Sequence, residues 1–384
     1  MYLLPTPSSK ISIHSFGDGG VLFFKGSRQI WALNSTSAFI WCLLDEAATL
    51  DELADRFGST FHIKKAQAFY DVGTVMAVFE REGLVDTQAL VENTESDDAW
   101  DITPIGPGII EPAHWAVKRS YRVANHLFEF CCQDTAIGDN FAGIMEHLTS
   151  DKKGSPDTRI AVVSGTGEGK TWDIFLDDSG FSFGLADDEV LPQLCTLFFV
   201  RSCEALKEYL LFHAAVVKMG NTTVMFPGEA GNGKTTLVAA LLAHGSRIYS
   251  DELAVINVDD LHVFPLPLPM SIKPGSVKPL KRYYPELRHR TIHLRTDGKR
   301  VRYLSPSSHD LPLTESSSPV DFLIFPKYID GAENRLVAID KTDALRRLAL
   351  TGSSNRVFSE RDVDAMIALM EKRPCYEITF SDLH

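Results

Sequence analysis

Residues 226–245 read FPGEAGNGKTTLVAALLAHG. Gly228, Gly233, Lys234 and Thr235 satisfy the G-x-x-x-x-G-K-[ST] spacing of a phosphate-holding loop. The glycines let backbone N–H groups turn inward on phosphate oxygens, and the helix that follows adds its positive dipole end. Lys234 is expected to reach the β- and γ-phosphates and Thr235 to ligate Mg²⁺. Gly228, Glu229, Ala230, Gly231, Asn232, Gly233, Lys234, Thr235 and Thr236 are thus the candidate nucleotide-binding residues. The context agrees, because an apolar strand, TTVMF, precedes the loop and a helix, TTLVAALLA, follows it to Gly245. A second stretch, SGTGEGKT at 164–171, is one residue short of the spacing. It runs into the β pattern WDIFLD, so no helix end would face an anion there, and a hairpin tip is expected.

Upstream of the loop, HAAVVKMGNTTVMF reads as two strands around a Gly220–Asn221 turn. A two-residue turn pairs Met219 with Thr222 and sets His213 opposite Gly228, the first glycine of the loop. Downstream, SRIYSDELAVIN ends a short strand on Asp251 and Glu252, near the phosphates if the sheet is parallel. One carboxylate there can hold Mg²⁺ while another takes a proton from an attacking hydroxyl. The plainer alternatives are a structural histidine in a strand and a solvated acidic turn.

The segment LFHAAVV…FPGEAGNGKTTLVAALLAHGSRIYSDELAVI resembles the core of the HPr kinase/phosphorylase family over about 205–280, with weaker likeness in PVDFLIFPKY and CYEITFSDL. The resemblance implies a P-loop HPr kinase-like α/β domain over 109–384. It implies Asp251 as general base on a serine hydroxyl, His213 tuning it, and Lys234 gripping phosphate. Thr235, Asp251 and Glu252 would be the Mg²⁺ ligands, and ATP or GTP the phosphoryl donor. The family's second Asp is Glu252 here, its loop Ser is Thr235, and its later glutamate-bearing signature is not found. Divergent HPr kinase-like proteins of peptide-modification gene clusters are the closer likeness.

At the N-terminus, ISIHSF, VLFFK and RQIWAL read as strands, and Asn34 and Thr49 cap the helices that follow. A third helix, about Lys64 to Glu82, aligns Phe69, Val72, Met76 and Phe79 on one face and stops at Gly83. ALNSTSAFIWCLLDEAATLDELADRF…DVGTVMAVFEREGLV resembles the PqqD family over about 10–90, a winged-helix-like α+β unit. That likeness implies capture of a precursor-peptide leader as an added strand, with Arg28, Gln29, Ile30, Trp31, Tyr70, Val72 and Met76 as peptide-binding residues. A winged helix could bind DNA instead. Residues 1–90 hold seven basic against ten acidic residues, and AQAFYDVGTVMAVFE has no basic residue, which argues against phosphate contacts.

The chain has 384 residues, 44% apolar and 23% charged, in the globular range and long enough for more than one core. Its net charge of −13 argues against nucleic acid and anionic lipid as partners. No apolar run approaches the roughly 18 residues of a membrane span. The six cysteines form no CxxC pair, which fits reduced thiols in a cytoplasm. The stretch 91–108, polar and then Pro/Gly-rich, reads as a linker. Residues 273–302 concentrate ten Lys or Arg against two acids, so Lys273 and Arg302 are candidate substrate contacts, a solvated loop being the alternative. Together these readings predict a cytoplasmic peptide kinase with a peptide-recognition domain over 1–90. A small-molecule kinase and a non-catalytic nucleotide-gated peptide carrier are the other two classes that fit.

Overall fold

The computed structural model describes residues 4–27, 29–44, 46–47, 49–86, 106–109, 112, 114–151, 154–165, 169–295, 297–312, 317–352 and 357–383. Among them the α-helices are α1 (Ser35–Leu43), α2 (Leu50–Phe61), α3 (Lys65–Arg81), α4 (Thr135–Met145), α5 (Asp187–Ala205), α6 (Lys234–Ala243), α7 (Pro274–Leu280), α8 (Lys341–Leu350) and α9 (Glu360–Lys372). None of these is long and apolar enough to cross a membrane. The chain divides into two compact units.

The first unit comprises Met1–Asp97, Asp340–Leu350 and Arg356–Lys372. Its centre is a three-stranded antiparallel sheet, Ile11–Phe16, Gly19–Phe24 and Ile30–Leu33 in that order. Asn34 accepts a hydrogen bond from the Ser37 N–H at 2.8 Å and Thr49 one from Glu52 at 3.2 Å, so each helix start has its free donors satisfied where polar capping residues predict it. Leu22, Ile40, Trp41, Leu53, Phe57 and Phe79 fill the core between one sheet face and α1–α3. The stripe of α3 differs from expectation by one position. Ala68, Val72, Met76 and Phe79 are buried, while Phe69 is 42% exposed. Ala68 sits one helical turn before Val72, whereas Phe69 is rotated off that line.

The opposite sheet face is also covered. Val21 and Phe23 alternate with Leu22 and so point away from α1–α3, yet both are buried. α8 packs on Ile30–Leu33 and α9 on Ile11–Phe16. His14 Nδ1 meets Asp364 at 2.7 Å, and the Phe358 N–H donates to the Ser27 carbonyl at 3.1 Å. A single domain from 109 to the C-terminus was expected; the structure instead returns 340–350 and 356–372 to the front unit. The apolar faces of α8 and α9 (Ala344, Leu345, Leu348; Val363, Met366) find their burial there.

The second unit, Asp98–Ile339 with Thr351–Asn355 and Arg373–His384, contains two six-stranded sheets. One runs Gly106–Gly108, Ser179–Leu185, Trp172–Leu176, Thr158–Ser164, His126–Cys132, Val117–Val123, with α4 and α5 packed around Tyr121, Phe128, Phe141 and Phe198. The expected linker therefore ends early: Gly106–Gly108 is an edge strand on Ser179–Leu185, and residues 87–105 lie outside the described residues. The sequence decoy at 164–171 closes an antiparallel pair, Trp172 opposite Ser164, and its residues 166–168 lie outside the description. The other sheet runs Arg247–Ser250, Ala214–Met219, Thr222–Pro227, Phe322–Tyr328, Cys375–Phe380, Arg335–Ala338. α6 packs on it through Val238 and Ala239 against Ala215, Val217 and Phe226.

Candidate functional site

The hairpin Ala214–Met219/Thr222–Pro227 has Met219 opposite Thr222 and Ala214 opposite Pro227, the register its Gly-Asn turn predicts. It continues one step further, since the Gly228 N–H donates to the His213 carbonyl at 3.3 Å. The His213 N–H in turn donates to Thr351 O at 2.6 Å. His213 is thus pinned at the first glycine of the loop by backbone bonds on both sides.

The loop turns on Gly231 (φ 102°) and Gly233 (φ 85°), left-handed conformations that glycine adopts without strain. At Gly233 a side chain is excluded twice over, because a Cβ there would lie 2.8 Å from Phe380 Cζ and 3.2 Å from Tyr328 Cβ. α6 begins at Lys234, whose ammonium donates to the carbonyls of Gly228 at 2.5 Å and Glu229 at 3.0 Å, across the mouth of the loop. Lys234 is only 6% exposed, and burial brings its pKa down to about 8, against the raising pull of Glu252 and Asp251. Thr236 differs from expectation: its hydroxyl bonds Ser276 on α7 at 2.6 Å, so only its backbone faces the loop's task.

Arg247–Ser250 pairs antiparallel with Ala214–Met219, which makes it run the same way as the strand feeding the loop. Its end therefore delivers Asp251 and Glu252 to the same end as the glycine loop. Asp251 is 6% exposed, and its buried Oδ1 has no hydrogen-bond partner among the described residues. Burial first and the Glu252 carboxylate second push its pKa up to about 7, while Thr235, Lys234 and Lys273 pull the other way. Glu252 Oε1 stands 3.5 Å from His213 Nδ1. Burial lowers the His213 pKa despite that carboxylate, which keeps the imidazole neutral near pH 7. The site is an acid–base cluster of four groups at a glycine-lined loop, with Lys234 and Asp251 buried, His213 half-buried and Glu252 exposed.

Among the described residues no group of three or more His, Cys, Asp or Glu side chains is gathered to hold a metal. Mg²⁺ does not require one, since it is held by one or two carboxylates together with phosphate oxygens and water. The orphaned Asp251 Oδ1, with Thr235 and Glu252 beside it, fits a small hard cation of that kind.

The basic stretch 273–302 is not a plain loop. It holds α7, a 3₁₀ turn Pro285–His289 and the strands His293–Leu294 and Arg300–Leu304. Lys273 occupies the N-cap position of α7 without a side-chain capping bond, and its charge acts on Lys234, Asp251 and His213. Arg302, by contrast, turns its Nε to the Arg290 carbonyl at 3.2 Å. Sequence reasoning missed a neighbour from the same stretch, Arg295, which lines a cavity of about 330 Å³ together with His213, Asp251, Glu252 and Tyr303. Nothing local distinguishes Arg295 from the nine other cations around it.

In the front unit, Ile30–Leu33 is an edge strand with one partner. Gln29 is exposed and Ile30 and Trp31 half-buried, while Arg28 lies outside the described residues. Tyr70 is 70% exposed on α3, as a peptide contact requires. Val72 (0% exposed) and Met76 (5%) are core residues instead and have no surface to offer a peptide. Phe69 and Val78, 42% and 38% exposed, are the apolar groups α3 leaves at the surface.

Residues 19–85 match the family model described as Coenzyme PQQ synthesis protein D (PqqD), so the chain carries a PqqD-like domain there. A solved structure titled "TbiB1 in Complex with the TbiA(beta) Leader Peptide" matches with 18% identity and a TM-score of 0.21, over 22% of this chain and 99% of that one. No curated protein matches.

Proposed function

We propose that this chain is a nucleotide- and Mg²⁺-dependent kinase that phosphorylates a serine of a ribosomally made precursor peptide docked on its PqqD-like domain. PqqD-like domains bind precursor leader peptides, which supports peptide docking at the front. The observation that carries the kinase reading is the buried Asp251, orphaned at one oxygen, converging with His213 and Lys234 at the phosphate loop.

The serine Oγ attacks the γ-phosphorus as the bond to the β–γ bridging oxygen breaks, and the nucleoside diphosphate leaves. Asp251 takes the hydroxyl proton. A base with pKa about 7 is matched to that task near neutral pH. His213, neutral, stands with its Nδ1 3.5 Å from the Glu252 carboxylate, next to the base. The loop N–H groups, Lys234 and Lys273 draw the triphosphate in and offset the charge that spreads over the transferred group. Thr235, Glu252 and the unpartnered oxygen of Asp251 would hold Mg²⁺, which when bound would supply positive charge to offset that of the phosphates.

Asp251→Asn tests the reading. Phosphate transfer to a precursor peptide, followed by mass spectrometry, should fall by a factor on the order of a hundred or more. Nucleotide affinity, measured by titration calorimetry, should stay within a fewfold. Undiminished transfer in this variant removes Asp251 from its role.

A further inference from the structure

The cavity beside Asp251 has a chemical character of its own. At about 330 Å³ it sits at the small end of ligand pockets, which run roughly 300–1,000 Å³. That is more space than one hydroxymethyl group needs. Phe198 and Phe199 of α5, with Leu266 and Leu268, wall it with apolar surface, and Asp251 opens into it. Its one cation is Arg295. Asp251 and Arg295 line the same cavity, so a carboxylate and a guanidinium face one space. Arg295 turns its Nε to Asp297 at 3.3 Å. Among the described residues its two Nη groups have no hydrogen-bond partner, and the guanidinium presents them as a fork suited to a carboxylate.

Resting on the kinase reading above, we infer that this cavity is the acceptor pocket and that Arg295 selects an acceptor bearing a carboxylate close to the phosphorylated hydroxyl. The apolar walls take the body of a neighbouring side chain and lower the local dielectric, which strengthens the Arg295–carboxylate pair. The carboxylate can be an acidic side chain or a chain terminus, and the pocket chemistry is shared by both.

Three probes separate the possibilities with the full chain, ATP and Mg²⁺: N-acetyl-Phe-Ser with a free C-terminal carboxylate, its C-terminal amide, and N-acetyl-Phe-Ser-Glu amide. Binding and phosphate incorporation are measured for each. Either charged probe should exceed the neutral amide by about tenfold to a hundredfold, the weight of a charge-assisted hydrogen bond. The first probe winning points to a terminus, the third to an acidic side chain. Arg295→Ala should erase the preference with nucleotide affinity and melting temperature unchanged, and Arg295→Lys should restore part of it. Equal response to the three probes, or no binding of any, overturns the pocket assignment. Carboxylate-dependent binding without transfer keeps the pocket and sinks the kinase reading, whereas transfer without carboxylate preference does the reverse.

Discussion

At the scale of single residues, two ionisable groups frame the chemistry. In the proposed kinase, Asp251 must be ionised to accept a proton and Lys234 must be protonated to meet phosphate. The pH profile of kcat/KM reports the free protein, so it should rise through about pH 7 and fall through about pH 8. The same shift has a thermodynamic face. A carboxyl whose folded pKa is raised from 3.8 to about 7 holds an extra native proton between those values. Stability from that group therefore declines as pH climbs through the window and is lowest above it. Asp251→Asn should accordingly raise the melting temperature at pH 8, by the equivalent of a few kcal/mol at most (about 1.4 per unit), and have little effect near pH 4. A melting curve that responds equally at both pH values would contradict the burial of this carboxylate. Gly233→Ala is a backbone test. It forces a side chain into φ 85° and against Phe380, at a cost of about 1–3 kcal/mol, and should weaken nucleotide binding with little change at the front unit.

At the scale of elements, the three-stranded sheet of the front unit is the informative case. Its central strand buries Val21, Leu22 and Phe23 in succession, which is what a strand covered on both faces looks like. α1–α3 cover the face of Leu22; α8 and α9 pack on the two outer strands of the same sheet. Phe23→Ala should destabilise this unit by about 3–5 kcal/mol and speed amide hydrogen exchange in α9. Unchanged exchange in α9 would mean that the second face is not held by that contact. The run VLFFK was readable as a strand, but nothing in it names the distant helices that pack on this sheet.

At the scale of the whole molecule, the chain leaves one sheet to complete another unit and comes back. Arg335–Ala338 and Cys375–Phe380 are paired neighbours, Ala338 opposite Tyr376, with α8 and α9 threaded between them in sequence. Replacing 340–372 by a short turn should leave the second unit folded and able to bind nucleotide, since the pair it rejoins is antiparallel. The bond from His213 N to Thr351 O is lost in that protein, so transfer should drop even where nucleotide affinity, read by calorimetry, does not. Conversely, residues 1–86 alone leave Val21 and Phe23 uncovered and should bind a hydrophobic dye that the full chain does not. All six cysteines are free, so reductant should not alter either result.

What the sequence determined by itself was local: a glycine turn leading into α6, the capped helices, and a hairpin register that set His213 at Gly228. Those follow from spacing, turn chemistry and strand periodicity, which act within a few residues. The tertiary structure alone decided which cation joined the cavity, that Val72 and Met76 belong to the core, and that α8 and α9 close the front sheet. Each of these depends on contacts between segments far apart in the chain, up to the 350 residues between His14 and Asp364, and periodicity says which side of an element is apolar without saying what will cover it.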